Sequence, residues 1–182
     1  MGALKDNETS FTKKGAASVG VLWQCCGLIG KVDNCQVGVF LALGCGPSAT
    51  LVDFRLFLPA EKANDPARCE KARVPETHRV HRTKPELALA IVAARARGSR
   101  HRWVGADDVY GNSRAFTDGL DDLGEIFLVD VACKTKVWTS DPCAPSPATG
   151  AGLRDGARQP ATPKAPGGAA VRVDRLTDAR FA

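Results

Sequence analysis

SVGVLWQCCGLI (residues 18–29), CQVGVFLAL (35–43) and TLVDFRLFL (50–58) follow one another with only turn residues between them. The polar stretch Gly30-Lys31-Val32-Asp33-Asn34 separates the first two runs and predicts a hairpin. The third run alternates apolar and polar residues and stops at Pro59, as an antiparallel neighbour with one exposed face does. Ahead of them, Asp6-Asn7-Glu8-Thr9-Ser10-Phe11-Thr12 places acid and amide side chains on an incipient strand, and Lys13-Lys14-Gly15 follows at once.

Beyond Pro59 the pattern changes. Residues 60–82 are charged and interrupted by Pro66 and Pro75, which predicts a loop with at most short helical turns. A helix is expected from Thr83, where Thr83 and Glu86 have capping-box spacing and Pro85 sits in the first turn. Leu87, Ala90, Ile91 and Ala94 keep helical spacing up to Gly98. Arg102 to Ala106 reads as a short buried strand, Ser113 to Leu123 as an amphipathic helix ended by Gly124, and Glu125 to Val131 as a strand extended through Trp138. Asp141 to Ala170 is dominated by Ala, Pro and Gly and is expected to be a flexible linker or insertion. Val171 to Ala182 reads as the start of a further element. Antiparallel strands followed by βα units predict an α/β fold with a mixed sheet of the ribonuclease H-like plan, incomplete, over residues 1–140, with a flexible segment at 141–182.

Composition narrows the function classes less than it narrows the fold. With 182 residues, 44% hydrophobic, the chain can bury one ordinary core. A net charge of +5 permits nucleic-acid binding without demanding it. No long apolar run and no signal-peptide zoning is present, so the expectation is a cytoplasmic protein without a membrane partner. The seven cysteines lack CxxC pairs and are expected to be reduced, mostly buried thiols, with Cys25 and Cys26 facing opposite ways.

Asp107 is the leading candidate for chemistry. It follows an apolar strand and precedes a Gly-containing turn, where active-site groups concentrate, although a capping Asp occupies the same position in many proteins. At the N-terminus the alternatives are Asp6, Asn7 and Glu8. A carboxylate bridges a two-metal site, whereas an amide binds hard cations poorly. Lys13, Lys14, Arg82 and Lys84 are candidate phosphate contacts. His78 and His81 stand three apart in a basic loop without further ligands.

Several segments together resemble bacterial insertion-sequence transposases of the DDE type. They are Asn7-Glu8-Thr9-Ser10-Phe11-Thr12-Lys13-Lys14-Gly15, Gly30-Lys31-Val32-Asp33-Asn34-Cys35-Gln36-Val37-Gly38-Val39, Arg82-Thr83-Lys84-Pro85-Glu86-Leu87 and Trp103-Val104-Gly105-Ala106-Asp107-Asp108-Val109-Tyr110-Gly111. The resemblance implies a ribonuclease H-like core in which two aspartates and a glutamate hold Mg2+ or Mn2+ for cleavage and transfer of DNA strands at transposon ends, with oligomerisation possible. It puts Asp107 on the second aspartate, as catalytic residue and metal ligand, and Asn7 on the first. Asp6 is one residue out of that register and is expected to face the wrong way. The family's third acid falls beyond Ala182. The expectation is therefore a truncated, inactive remnant of a transposase, the alternatives being a non-catalytic basic DNA-binding module or the poorly folding product of a decayed element.

Overall fold

A computed structural model describes residues 2–95, 98–137 and 170–173. The expected linker and the residues from 174 onward fall outside them, apart from Ala170 to Val173. The chain divides into two compact units, Met1–Val131 and Ala132–Ala182.

The first unit is a mixed six-stranded sheet carrying helices, consistent with the ribonuclease H-like plan. β1 (Gly2–Thr12) lies at its centre, antiparallel to β3 (Lys31–Cys45) and parallel to β5 (His101–Ala106). β2 (Leu22–Cys26) and β4 (Ser48–Leu56) share the far edge of β3, and β6 (Phe127–Val129) closes the other side against β5. The first hairpin is displaced from its expected position. Its turn falls at Gly27–Gly30, where Gly30 takes φ +65°, and Lys31 to Asn34 belong to β3. The polar residues read as a turn are the solvent-facing end of a long strand whose edge is paired by β2. β6 is shorter than expected and does not run on: the chain turns at Ala132–Thr135, and β7 (Lys136–Val137) pairs antiparallel with β8 (Val171–Arg172) in the second unit.

The charged stretch after Pro59 forms α1 (Ala60–Ala63), α2 (Pro66–Lys71) and a 3-10 turn at Glu76–His78, as its prolines require. Asp65 caps α2 by accepting from the Arg68 amide at 3.0 Å, with Pro66 in the first position. At its other end, the Val74 amide reaches the Cys69 carbonyl and the Arg73 amide the Glu70 carbonyl. This is a Schellman closure, in which the left-handed position belongs by preference to glycine. Here Arg73 occupies it at φ 55°, alone among the described non-glycine residues. Arg73→Gly should therefore stabilise the fold by about 1 kcal/mol, read as a rise in the denaturation midpoint.

α3 (Lys84–Arg95) begins where the capping box put it: Glu86 accepts from the Thr83 amide at 2.6 Å while its own amide donates to the Thr83 hydroxyl at 3.4 Å. The Thr83 amide and the Thr83 hydroxyl, at 2.8 Å, both donate to the Glu86 carboxylate and hold it below its usual range. Ala88, Ile91 and Val92 bury against one face of the sheet, joined by Phe116 and Leu120 from α5 (Arg114–Asp122) and by Leu4, Val39, Leu41 and Val104 from the strands. Arg95 ties α3 to β4 through Asp53 at 2.7 Å; burial would raise the Asp53 carboxyl, but the Arg95 and Arg55 guanidiniums hold it below its usual range. The opposite face carries the aromatic row Phe11, Phe40 and Phe54, with centroid spacings of 6.3 and 5.8 Å. Six cysteines lie among the described residues. Cys26, Cys35 and Cys69 are buried, whereas Cys25, Cys45 and Cys133 are exposed, so burial is less general than expected. The Cys25–Cys26 pair does face opposite ways, one exposed and one buried.

Candidate active site

Strand parity decides which N-terminal acid matters. Leu4, the one large apolar residue early in β1, goes into the core, and the period of two carries Asp6, Glu8 and Ser10 to the same face. Asp6 is fully buried. Asn7 lies on the other side, exposed, opposite Phe40 in the aromatic row. The expectation that Asp6 would face the wrong way is thus corrected: it was inferred from motif register, while burial of Leu4 sets the orientation of the strand.

Parallel pairing brings Asp6 alongside Ala106, the residue before Asp107. Adjacent strands are about 4.8 Å apart, so the two carboxyls share one end of the sheet. Burial, and then the nearby Asp107 carboxylate, push the Asp6 carboxyl up to about 8. Asp107 is half-buried and also raised, first by burial and then by the charges of Glu8 and Asp108, against the hydrogen bonds it accepts from the backbone. One of those comes from the Val109 amide at 3.0 Å, by which Asp107 caps the short α4 (Asp108–Gly111). The capping and site readings of Asp107 therefore coexist. Asp108 beside it is exposed.

Tyr110 closes the site from below. Its ring packs on Phe116 at 5.5 Å and is fully buried. Among the described residues its hydroxyl has no hydrogen-bond partner, and neither does either carboxylate oxygen of Asp6. Burial, then the charges of Glu8, Asp107 and Asp6, drive the Tyr110 phenol far above its usual range. Gly111 lets α4 pack against the end of β6, since a Cβ there would meet the Asp130 carbonyl oxygen at 1.9 Å. Glu8 faces Lys84 Nζ at 2.7 Å, a charge contact rather than a well-angled hydrogen bond. Lys84 also lies over the Phe57 ring, 5.7 Å from its centroid.

The structure thus gathers Asp6, Asp107, Glu8, Lys84 and Tyr110 and leaves Asn7 outside. Lys13 and Lys14 line an open cleft with Trp23 and Lys62, seven residues and about 20 Å along β1 from Asp6. Arg82 lines a separate cavity next to α3. His81 donates from Nδ1–H to the Leu58 carbonyl oxygen at 2.8 Å and packs on Phe57, which is a structural role. Sequence reasoning weighed Asp6 but set it aside on motif register, and it did not single out Tyr110. The signal for Asp6 was the alternation Leu4-Lys5-Asp6-Asn7-Glu8, with its single large apolar residue on the acid side.

The family profile described as DDE superfamily endonuclease matches residues 7–180. The chain belongs to that family. DDE superfamily endonucleases are transposase-type nucleases acting on DNA, typically with divalent metal ions. The match begins at Asn7, so Asp6 stands immediately before it. No curated protein and no solved structure matches the chain. Among the described residues no group of three His, Cys, Asp or Glu side chains is placed to hold a metal ion, and no helix is long and apolar enough to cross a membrane.

Proposed function

We propose that the chain forms the metal- and DNA-holding part of an insertion-sequence transposase, in which Asp6 and Asp107 together bind one Mg2+ or Mn2+ against a DNA phosphodiester. The observation that carries this reading is the pair itself. A buried carboxyl whose two oxygens have no hydrogen-bond partner among the described residues lies near a second carboxyl at the end of the neighbouring strand. Two such groups disfavour each other's ionised form, and a divalent cation reverses that preference. Oxygen donors of this kind suit hard cations.

A cation bound there supplies Lewis-acid polarisation of the phosphodiester and acidifies an attacking water or 3′-hydroxyl. The chain's own groups do the rest. Asp6 is fixed by β1 in the sheet centre and Asp107 by its cap on α4, so neither carboxyl needs to reorganise. Tyr110 offers an unused hydroxyl proton to a carboxylate or phosphate oxygen. Lys84 pairs with Glu8 and offsets part of the third negative charge that acts on Asp107. Lys13, Lys14 and Lys62 provide a basic cleft for the phosphate backbone beyond the site.

A remnant that binds DNA without cutting it is the second reading. Two observations favour it: the amide of Asn7 at the position the motif assigns to an acid, and the engagement of Glu8 by Lys84. Nicking of supercoiled plasmid in Mn2+ separates the two. The expected result is metal-dependent nicking that falls about a hundredfold or more in Asp6→Ala and in Asp107→Ala and persists in Asn7→Ala. Salt-sensitive binding without nicking by the unaltered chain supports the remnant instead. Nicking that survives Asp6→Ala overturns the assignment of the pair.

A further inference from the structure

Between β4, the chain from Ala72 to Arg82 and α3 lies a cavity of about 550 Å3, a size suited to a small organic ligand. Leu56, Leu58, Val74, Val80 and Leu87 give it apolar walls. Apart from Thr77 the polar remainder is basic: Arg55, Arg73, Arg82 and His78 line it, and no carboxylate among the described residues does. Arg55 is held by Asp53 at 2.6 Å. Among the described residues no acid lies within ion-pair distance of Arg73 or Arg82.

Two further observations give this lining a purpose. Arg73 holds the left-handed position of the Schellman closure, where glycine is the stable choice, so a guanidinium stands at the cavity against local backbone preference. The cavity also shares α3 with Lys84. Leu87 is one helical turn beyond Lys84, roughly 5–6 Å away on the same helix, and Lys84 contacts Glu8.

We propose that this cavity receives one unstacked nucleotide of a single DNA strand, its base against the apolar wall and its phosphates on Arg73 and Arg82. The proposal deepens the DNA-cleaving reading above and rests on it for the identity of the strand. A base supplies the flat apolar surface that the walls match, and its phosphates supply the negative charge that the unpaired guanidiniums lack.

The test uses the full chain and a fluorescently labelled short oligodeoxythymidine in EDTA, with anisotropy as the readout. Removing one base to leave an abasic position should weaken binding about tenfold. Ala90→Phe, which fills the cavity from α3, should abolish that difference. Arg73→Gly should raise the unfolding midpoint while weakening binding about fivefold and lowering the salt slope by about 0.7; a purely structural Arg73 would move only the first of these. Equal affinity for intact and abasic strands, no binding of either, or an unchanged salt slope in Arg73→Gly overturns the proposal. Because EDTA removes cleavage, the two readings fail separately. Base discrimination that persists in a chain unable to nick DNA sinks the nuclease and keeps the cavity, and nicking without base discrimination sinks the cavity alone.

Discussion

Asp6→Asn is expected to stabilise the metal-free chain at pH 8 by about 3 kcal/mol and to leave its stability nearly unchanged at pH 4. Burial and Asp107 raise the Asp6 carboxyl to about 8 in the folded protein, from 3.8 as the unperturbed value. Between those values the folded state retains a proton that the unfolded state has released. Stability therefore stands at its full value below about pH 4 and declines as pH rises towards 8. At about 1.4 kcal/mol per pH unit the ceiling is about 6 kcal/mol, and Asn returns part of it because a buried amide without partners remains unfavourable. Chemical denaturation at several pH values in EDTA measures the effect. A wild-type profile parallel to that of Asp6→Asn from pH 4 to 8 would show that Asp6 is not the buried acid described here. Mn2+ should stabilise the wild type more at pH 8 than at pH 5, since a cation displaces the proton more easily there, and should do little for Asp6→Asn.

Phe116→Ala should destabilise the fold by about 3–5 kcal/mol, the range for truncating a buried aromatic side chain. Phe116 is 1% exposed and lies in the cluster that joins α3 and α5 to the sheet. The loss is a large fraction of the stability of an ordinary domain. It also removes the ring on which Tyr110 rests, so the hydroxyl beside the acids loses its support. Leu128 is the control: it is an equally apolar residue but 70% exposed, and Leu128→Ala should stay within about 0.5 kcal/mol. Urea denaturation of the two variants decides the matter, and comparable losses would contradict the placement of the core on the α3–α5 face.

Signals contained within a few residues were legible. Thr83 and Glu86 announce the start of α3 because a capping box is a local hydrogen-bonding arrangement. Pro66, Pro75 and the charges around them confine residues 60–82 to short turns. The boundaries that failed were those fixed by a partner strand. Lys31 to Asn34 look like turn residues, yet β2 pairs with them, and Glu125 to Val131 look like a full strand, yet only Phe127–Val129 find β5. In the site, Asp107 was legible from its place after an apolar strand. Tyr110 was not, because its meaning depends on Phe116 below it and three acids above it, and these come together only in the folded chain.

By itself, the sequence determined that this protein opens with antiparallel strands, continues through βα units and places Asp107 directly after its fifth strand, and its motifs sufficed to place it in its family. All of these are written in periodicity, capping and order along the chain. Only the tertiary structure decided which N-terminal side chain meets Asp107. Asp6 and Asn7 are neighbours in sequence, but a strand sends them to opposite faces, and their chemistry depends on which face is buried. Packing of Leu4 beneath α3 and α5 turns Asp6 inward, and the parallel register with β5 delivers it beside Asp107.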